Sequence, residues 1–306
     1  MITSLFRKST PLNYSLVVIL LLFCFFMYQF QDSNLANPIS LKAAILVILL
    51  GLLFVVNFIV KKNGLTKNSS YTILFYLLLL LFFPSVFSDF KLLLANFFLM
   101  MAMRRLISLQ SLKLPKEKIF DASLWIFVAS LFHFWCILFI LLVFISIIFH
   151  VSRDFRNWLL PFVAFFAIAT IFVLVALVFD TTWITHFMEQ SKMNFQLDYF
   201  TNNYQNIALS VYVVTALYFV FSMIFSVTNK PLILQASFKK MIFAFFIGIV
   251  VFLISPEKTN TILVFTFMPL SVMATSNIEY SQSKMYQEIV SALFIILAVF
   301  CFFSQL

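Results

Sequence analysis

The fold predicted for this chain is an all-α, polytopic membrane helix bundle, and three observations carry that prediction. Hydrophobic residues fill 63% of the 306 positions and charged residues only 10%, whereas a soluble globular domain carries roughly 25% charged residues. Mean hydropathy is +1.08, so the chain cannot cover a water-soluble surface. Apolar runs of the roughly 20 residues that cross a bilayer recur from one end to the other, joined by short polar segments. Residues 1–306 therefore read as a single integral-membrane domain.

The first run, 14–30, follows a basic start at Arg7 and Lys8. No small-residue cleavage pattern follows it, so it reads as a retained first helix rather than a signal peptide. Runs at 41–60, 71–88 and 90–109 each fit one helix. The next, 123–149, "SLWIFVASLFHFWCILFILLVFISIIF", is long for one span and short for two. Runs at 158–179, 206–227, 237–254, 259–276 and 287–305 complete the set. Seven of the eight prolines fall at run ends, and Pro269 is the exception, expected to kink its helix.

Charge arbitrates the long run, because short cytoplasmic loops collect Lys and Arg. With the N-terminus inside, a single crossing of 123–149 leaves Arg153, Arg156, Lys230, Lys239 and Lys240 on the outside. If the run enters and returns, every Lys and Arg lies inside except Lys42, Lys91, Lys192 and Lys258. The expectation is about nine full spans plus one re-entrant helical hairpin, turning near His133–Trp135. It places the N-terminus in the cytoplasm and the C-terminus in the periplasm of a bacterial inner membrane. Irregular backbone at membrane depth survives only inside protein or beside a wet cavity, so the turn should face the bundle. His133 is expected to cap it.

The largest inner loop, 104–120, is basic and suits topology and anionic-lipid contact. The largest outer loop, 180–205, mixes aromatics with acids and amides. It reads as an interfacial helix, either an aromatic belt or a lid. The net charge of +9 is accounted for by the inner loops, so no nucleic-acid partner is expected. Only Gly51, Gly64 and Gly248 are present, which argues against Gly-mediated helix crossings. The 44 phenylalanines read as compositional bias at lipid-tolerant positions. Cys24, Cys136 and Cys301 read as small hydrophobes.

The spans hold almost no acids or bases, which weighs against proton-coupled pumps and carriers. Asn57 and Asn96 suit interhelical hydrogen bonds. Chemistry is expected among the outer-loop groups Asp32, Asp89, Lys91, Asp180, His186, Glu189, Lys192, Asp198, Glu257 and Lys258. Asp89 and Lys91 lie in a very short turn, where a lysine can bind phosphate as a point charge, or serve only as an interface anchor. No phosphate loop, nucleophile elbow, zinc motif or dinucleotide fingerprint occurs, so neither a cofactor nor a metal is expected.

The opening "MITSLFRKSTPLN" and the late "SPEKTNTILVFTFMPLSVMATSNIEY" resemble an integral-membrane family of Bacteroidota with no assigned function. Residues 89–144 carry a second likeness, through "FKLLLANFFLMMAM", a basic loop, and "DASLWIFVASLFHFWCILFILLVF". That order is similar to EpsG/Wzy-type polysaccharide polymerases. The resemblance puts Lys91 where those proteins place an arginine and matches His133 to their histidine. Phe134 and Trp135 depart from their small residues.

Two readings of function follow. In the first, the chain acts on a polyprenyl-linked glycan in surface-polysaccharide assembly at the outer face of the membrane. Asp32 or Asp89 would be the catalytic carboxylate, and Lys91, His133 and Asn96 would bind substrate in a glycosyltransferase-like or polymerase-like reaction. In the second, it is a non-catalytic subunit or scaffold of an envelope complex, with membrane-protein partners and bilayer lipids around it. A secondary transporter or flippase is a third and weaker reading.

Overall fold

The computed structural model describes residues 5–31, 38–196, 202–281 and 283–306, and these are mostly helical, with no strand among them. Eight of the helices are long and apolar enough to cross a membrane. The protein is a multi-spanning helical membrane bundle.

Local chemistry sets the helix ends. Helix α1 (Pro11–Gln29) starts with proline at its first turn, and the Thr10 hydroxyl accepts the Asn13 N–H at 3.4 Å. Helix α2 (Ile39–Lys62) stops at Gly64, whose φ of +63° no branched residue would adopt cheaply. There the Leu65 N–H reaches Val60 O at 3.1 Å and the Gly64 N–H reaches Lys61 O at 3.2 Å, closing a Schellman motif. Helix α3 (Tyr71–Phe82) runs into a 3₁₀ turn at Pro84–Ser88. Asp89 then caps α4 (Phe90–Ser108), accepting the Leu92 N–H at 3.0 Å.

The segment 104–120, expected as a loop, is helical at both ends. It belongs to α4 up to Ser108 and to α5 (Pro115–Phe132) from Pro115 onward. The tight link between them holds Leu112 and Leu114 at φ of 52° and 47°, each costing roughly 1–2 kcal/mol. Helix α5 breaks at His133, where the backbone is extended (φ −145°, ψ 104°). A 3₁₀ stretch, Phe134–Phe139, leads into α6 (Ile140–His150). Lys116, at the start of this segment, is 3.1 Å from Asp154, just past its end. The chain from 115 to 154 therefore doubles back. The outgoing arm is 18 residues, about 27 Å at 1.5 Å per residue. The return arm has a 6-residue 3₁₀ stretch and 11 α-helical residues, about 28 Å in all.

Then follow α7 (Arg156–Phe179), the short α8 (Thr182–Gln190), α9 (Asn203–Ser226), α10 (Leu232–Ile254), α11 (Val264–Tyr280) and α12 (Lys284–Ser304). Pro161 lies inside α7, because that helix starts two residues before the apolar run does. Pro269 also lies inside an uninterrupted helix, α11.

Helix α3 forms the centre and buries all 12 of its residues. It packs against α11, α12, α2 and α1. Around it stands an aromatic cluster. Phe75 and Phe82 each lie 5.4 Å from Phe294, Phe83 lies 5.5 Å from Tyr212, and Phe83 stacks on Phe267 at 6.2 Å. Such pairs add about 0.5–1.5 kcal/mol beyond area burial. Phenylalanine therefore serves both the lipid-facing surface, as at Phe166 and Phe225, and the innermost packing. One glycine crossing occurs despite the scarcity of glycine. A Cβ on Gly248 of α10 would stand 2.6 Å from Thr266 Cγ2 of α11.

The end of the bundle that holds the basic segment 104–120 is tied by polar contacts across helices. Gln110 Nε2 donates to Asn63 O at 3.0 Å, Ser237 Oγ to Gln110 Oε1 at 3.0 Å, and Lys67 Nζ to Glu279 O at 3.1 Å. Arg105 pairs with Asp121 at 2.8 Å. Lys240 departs from the expectation of charge-free spans. It is fully buried in α10, donating to Leu106 O at 2.5 Å and meeting His150 Nε2 at 3.2 Å. Leu106 O also accepts the N–H of Leu109, so Lys240 adds a second bond to a carbonyl at the C-terminal end of α4.

Candidate functional site

The opposite end carries a cleft of about 380 Å³. Four separate parts of the chain build it. The α3–α4 turn supplies Asp89 and Lys91, the α5–α6 turn supplies His133 and Trp135, α8 supplies His186 and Glu189, and the α10–α11 turn supplies Glu257.

Each side chain is placed by a local device. Asp89 is fixed as the α4 N-cap by its bond to the Leu92 N–H. Burial pushes its carboxyl above the ordinary carboxylate range, while the Leu92 N–H and Lys91 pull it partly back. Lys91, two residues on, is exposed at the mouth of the cleft. His133 does not cap its own turn. Its Nε2 instead meets Ser255 Oγ at 3.1 Å, and its ring lies 5.5 Å from that of Phe265. The turn closes through the backbone, with the Cys136 N–H donating to His133 O at 3.0 Å. The imidazole thereby joins the α5–α6 turn to the end of α10. Trp135 is 5% exposed, and its indole N–H has no acceptor among the described residues. A buried donor left so costs about 1–3 kcal/mol.

Helix α8 roofs the cleft. Phe187 packs on Phe134 at 5.0 Å and on Phe172 of α7 at 5.3 Å. Beyond α8, Asn194 ties the chain to the α10–α11 turn. Its N–H donates to Ile254 O at 3.2 Å, its amide donates to Pro256 O at 3.3 Å, and Lys258 donates to its carbonyl. Gln190 Nε2 sits 3.1 Å from His186 Nε2.

Asp89, Lys91 and His133, picked out from the sequence, thus line one cavity. Asn96 does not. It is buried one and a half turns further along α4, donating to Tyr76 Oη at 3.1 Å. Asn57, the other amide expected to bond between helices, accepts from Tyr14 Oη at 3.4 Å. Asp32 lies outside the described residues, as do Asp198, Tyr199 and Phe200 of the 180–205 loop. Ser255 and Trp135 carried no signal of their own in the sequence. Trp135 was visible only as the neighbour of a histidine in a turn.

Three carboxylates and one ammonium around two imidazoles suit a ligand with many hydroxyls and one phosphate group better than a bare polyanion. Carboxylates accept from hydroxyls, and a lysine offers a point charge to phosphate. Among the described residues no three His, Cys, Asp or Glu side chains are grouped to hold a metal ion.

A family model described as "Family of unknown function (DUF6427)" matches residues 1–306. No curated protein and no solved structure matches the chain.

Proposed function

The chain belongs to the DUF6427 family, a family of unknown function, and from its cleft we propose that it acts on a lipid-linked glycan at the outer face of a bacterial inner membrane. One observation carries this reading. Asp89, Lys91 and His133 share a cavity with Glu189, His186 and Glu257, at the end of α4 opposite the basic segment 104–120. In this reading Lys91 binds the phosphate of the carrier lipid, and Glu189 and Glu257 accept from sugar hydroxyls. Asp89 is the candidate general base, since a carboxyl raised by burial is matched to proton transfer nearer neutral pH.

The membrane placement is part of the same proposal. The basic end faces the cytoplasm, as the positive-inside rule requires, and the arms of the 115–150 hairpin run from that end to the cleft and back. This puts the N-terminus inside and the C-terminus outside. The local likeness to polysaccharide polymerases is in keeping with an outward-facing site but does not assign the reaction.

The test is Lys91→Ala in the source bacterium. Surface polysaccharide is expected to fall at least tenfold and lipid-linked intermediates to accumulate, while the protein level and its melting temperature in detergent stay unchanged. A normal polysaccharide profile in that strain overturns the enzymatic reading and leaves the scaffold reading in its place.

A further inference from the structure

A second cavity, about 400 Å³, lies beneath α8 between α5 and α7, within the roughly 300–1,000 Å³ of small-molecule sites. Val128 and Leu131 of α5 form one wall, and Ile168, Ile171 and Val175 of α7 form the other. Its lining is carbon nearly throughout. Phe132, His186 and Gln190 line this groove and the polar cleft alike, so the two meet beneath one helix. The groove borders α7, of which only Asn157, Pro161, Ala164 and Ala176 are buried. It therefore lies at the surface of the bundle that hydrocarbon covers. Trp183, stacked on Phe179 at 6.5 Å, stands at its upper end, the depth at which indole rings favour the membrane–water boundary.

We propose that this groove holds the hydrocarbon chain of the same lipid whose phosphate and sugar occupy the cleft. The inference rests on the reading above and adds a route. The substrate enters sideways from the bilayer between α5 and α7, and α8 spans both halves of it. A single chain suits the site, because the groove is a slot between two helices with a polar chamber at only one end. Phe187, packed between Phe134 of the cleft and Phe172 of α7, marks where the chain passes into the headgroup.

The experiment uses the full chain in nanodiscs and two probes. One is a long-chain polyisoprenyl monophosphate, with its two-isoprene analogue as the control for chain length. The other is inorganic pyrophosphate, which reports the cleft alone. Ile171→Trp is expected to weaken binding of the long-chain probe at least tenfold and leave pyrophosphate unaffected. Val175→Phe, one turn on, is the second plug should Ile171→Trp fail to fold. Lys91→Ala is expected to weaken both probes. Equal affinity for the long and two-isoprene probes overturns the groove assignment, as does a long-chain affinity untouched by both plugs. Competition by bilayer phosphatidylglycerol at equal affinity overturns it too, by making the groove a general lipid site. If Lys91→Ala changes neither probe, the phosphate reading of the cleft itself fails, whatever the plugs show.

Discussion

Lys230, in the turn between α9 and α10, shows how one residue can couple to pH. It is buried, its Nζ donates to Ser276 Oγ at 2.7 Å, and it lies 3.0 Å from the centroid of the Tyr280 ring. Burial lowers its pKa from 10.5 to about 8, with Glu279 opposing that shift and Lys67 adding to it. Between those values the unfolded chain holds a proton that the folded one has released, so this residue makes stability rise with pH. At roughly 1.4 kcal/mol per unit, its contribution across the window is bounded by about 3 kcal/mol. Measured in detergent between pH 7.5 and 10.5, the melting temperature of the wild type should rise relative to that of Lys230→Met as pH increases. An identical slope in both proteins would remove Lys230 as the cause. Asp89 shows the residue scale within the cleft. The same side chain caps a helix and faces the cavity, so Asp89→Asn keeps much of the cap while deleting the base.

At the scale of elements, the crossing of α10 and α11 depends on a single missing methyl. Gly248→Ala would set its Cβ against Thr266 Cγ2, and overpacking of this kind costs about 1–3 kcal/mol. The loss should appear as a lower melting temperature. Adding Thr266→Ser, which deletes the offending methyl and keeps the hydroxyl that meets Tyr212, should recover most of it. If the double variant is as unstable as the single one, the clash is not the mechanism. The α5–α6 pair is the second such element. Its turn is held by His133 on Ser255 and by buried Trp135, so its tip is positioned by α10 rather than by its own sequence.

For the whole molecule, the proposed orientation has a direct check. Cys24, Cys136 and Cys301 are all buried, so the native protein should be nearly silent to a membrane-impermeant maleimide. Ser152→Cys, exposed beside the hairpin's return, should label only after permeabilisation, and Thr182→Cys, exposed at the start of α8, in intact cells. Labelling of Ser152→Cys from outside rejects the placement of the basic end in the cytoplasm. The same geometry explains why the polar groups converge. Each turn at the end opposite the basic one adds a short polar segment, and four of them meet where α5 breaks.

Much of this was readable from local composition. The helical class, the apolar runs and their approximate ends follow from hydropathy, and charge raised the expectation of a hairpin at 123–149. Asp89, Lys91 and His133 stood out because they are polar groups in or beside apolar surroundings. What the sequence could not supply is which face of each helix points inward. Helices α3 and α7 are both mostly apolar, yet α3 buries every residue and α7 buries four. A helix that is apolar all round carries no periodic mark of its partner, and lipid offers no penalty for the wrong choice. Only the packing of the assembled bundle, through shape and a few buried polar bonds, decided that Asn96 faces Tyr76 while Glu189 and Glu257 join Asp89 in one cleft.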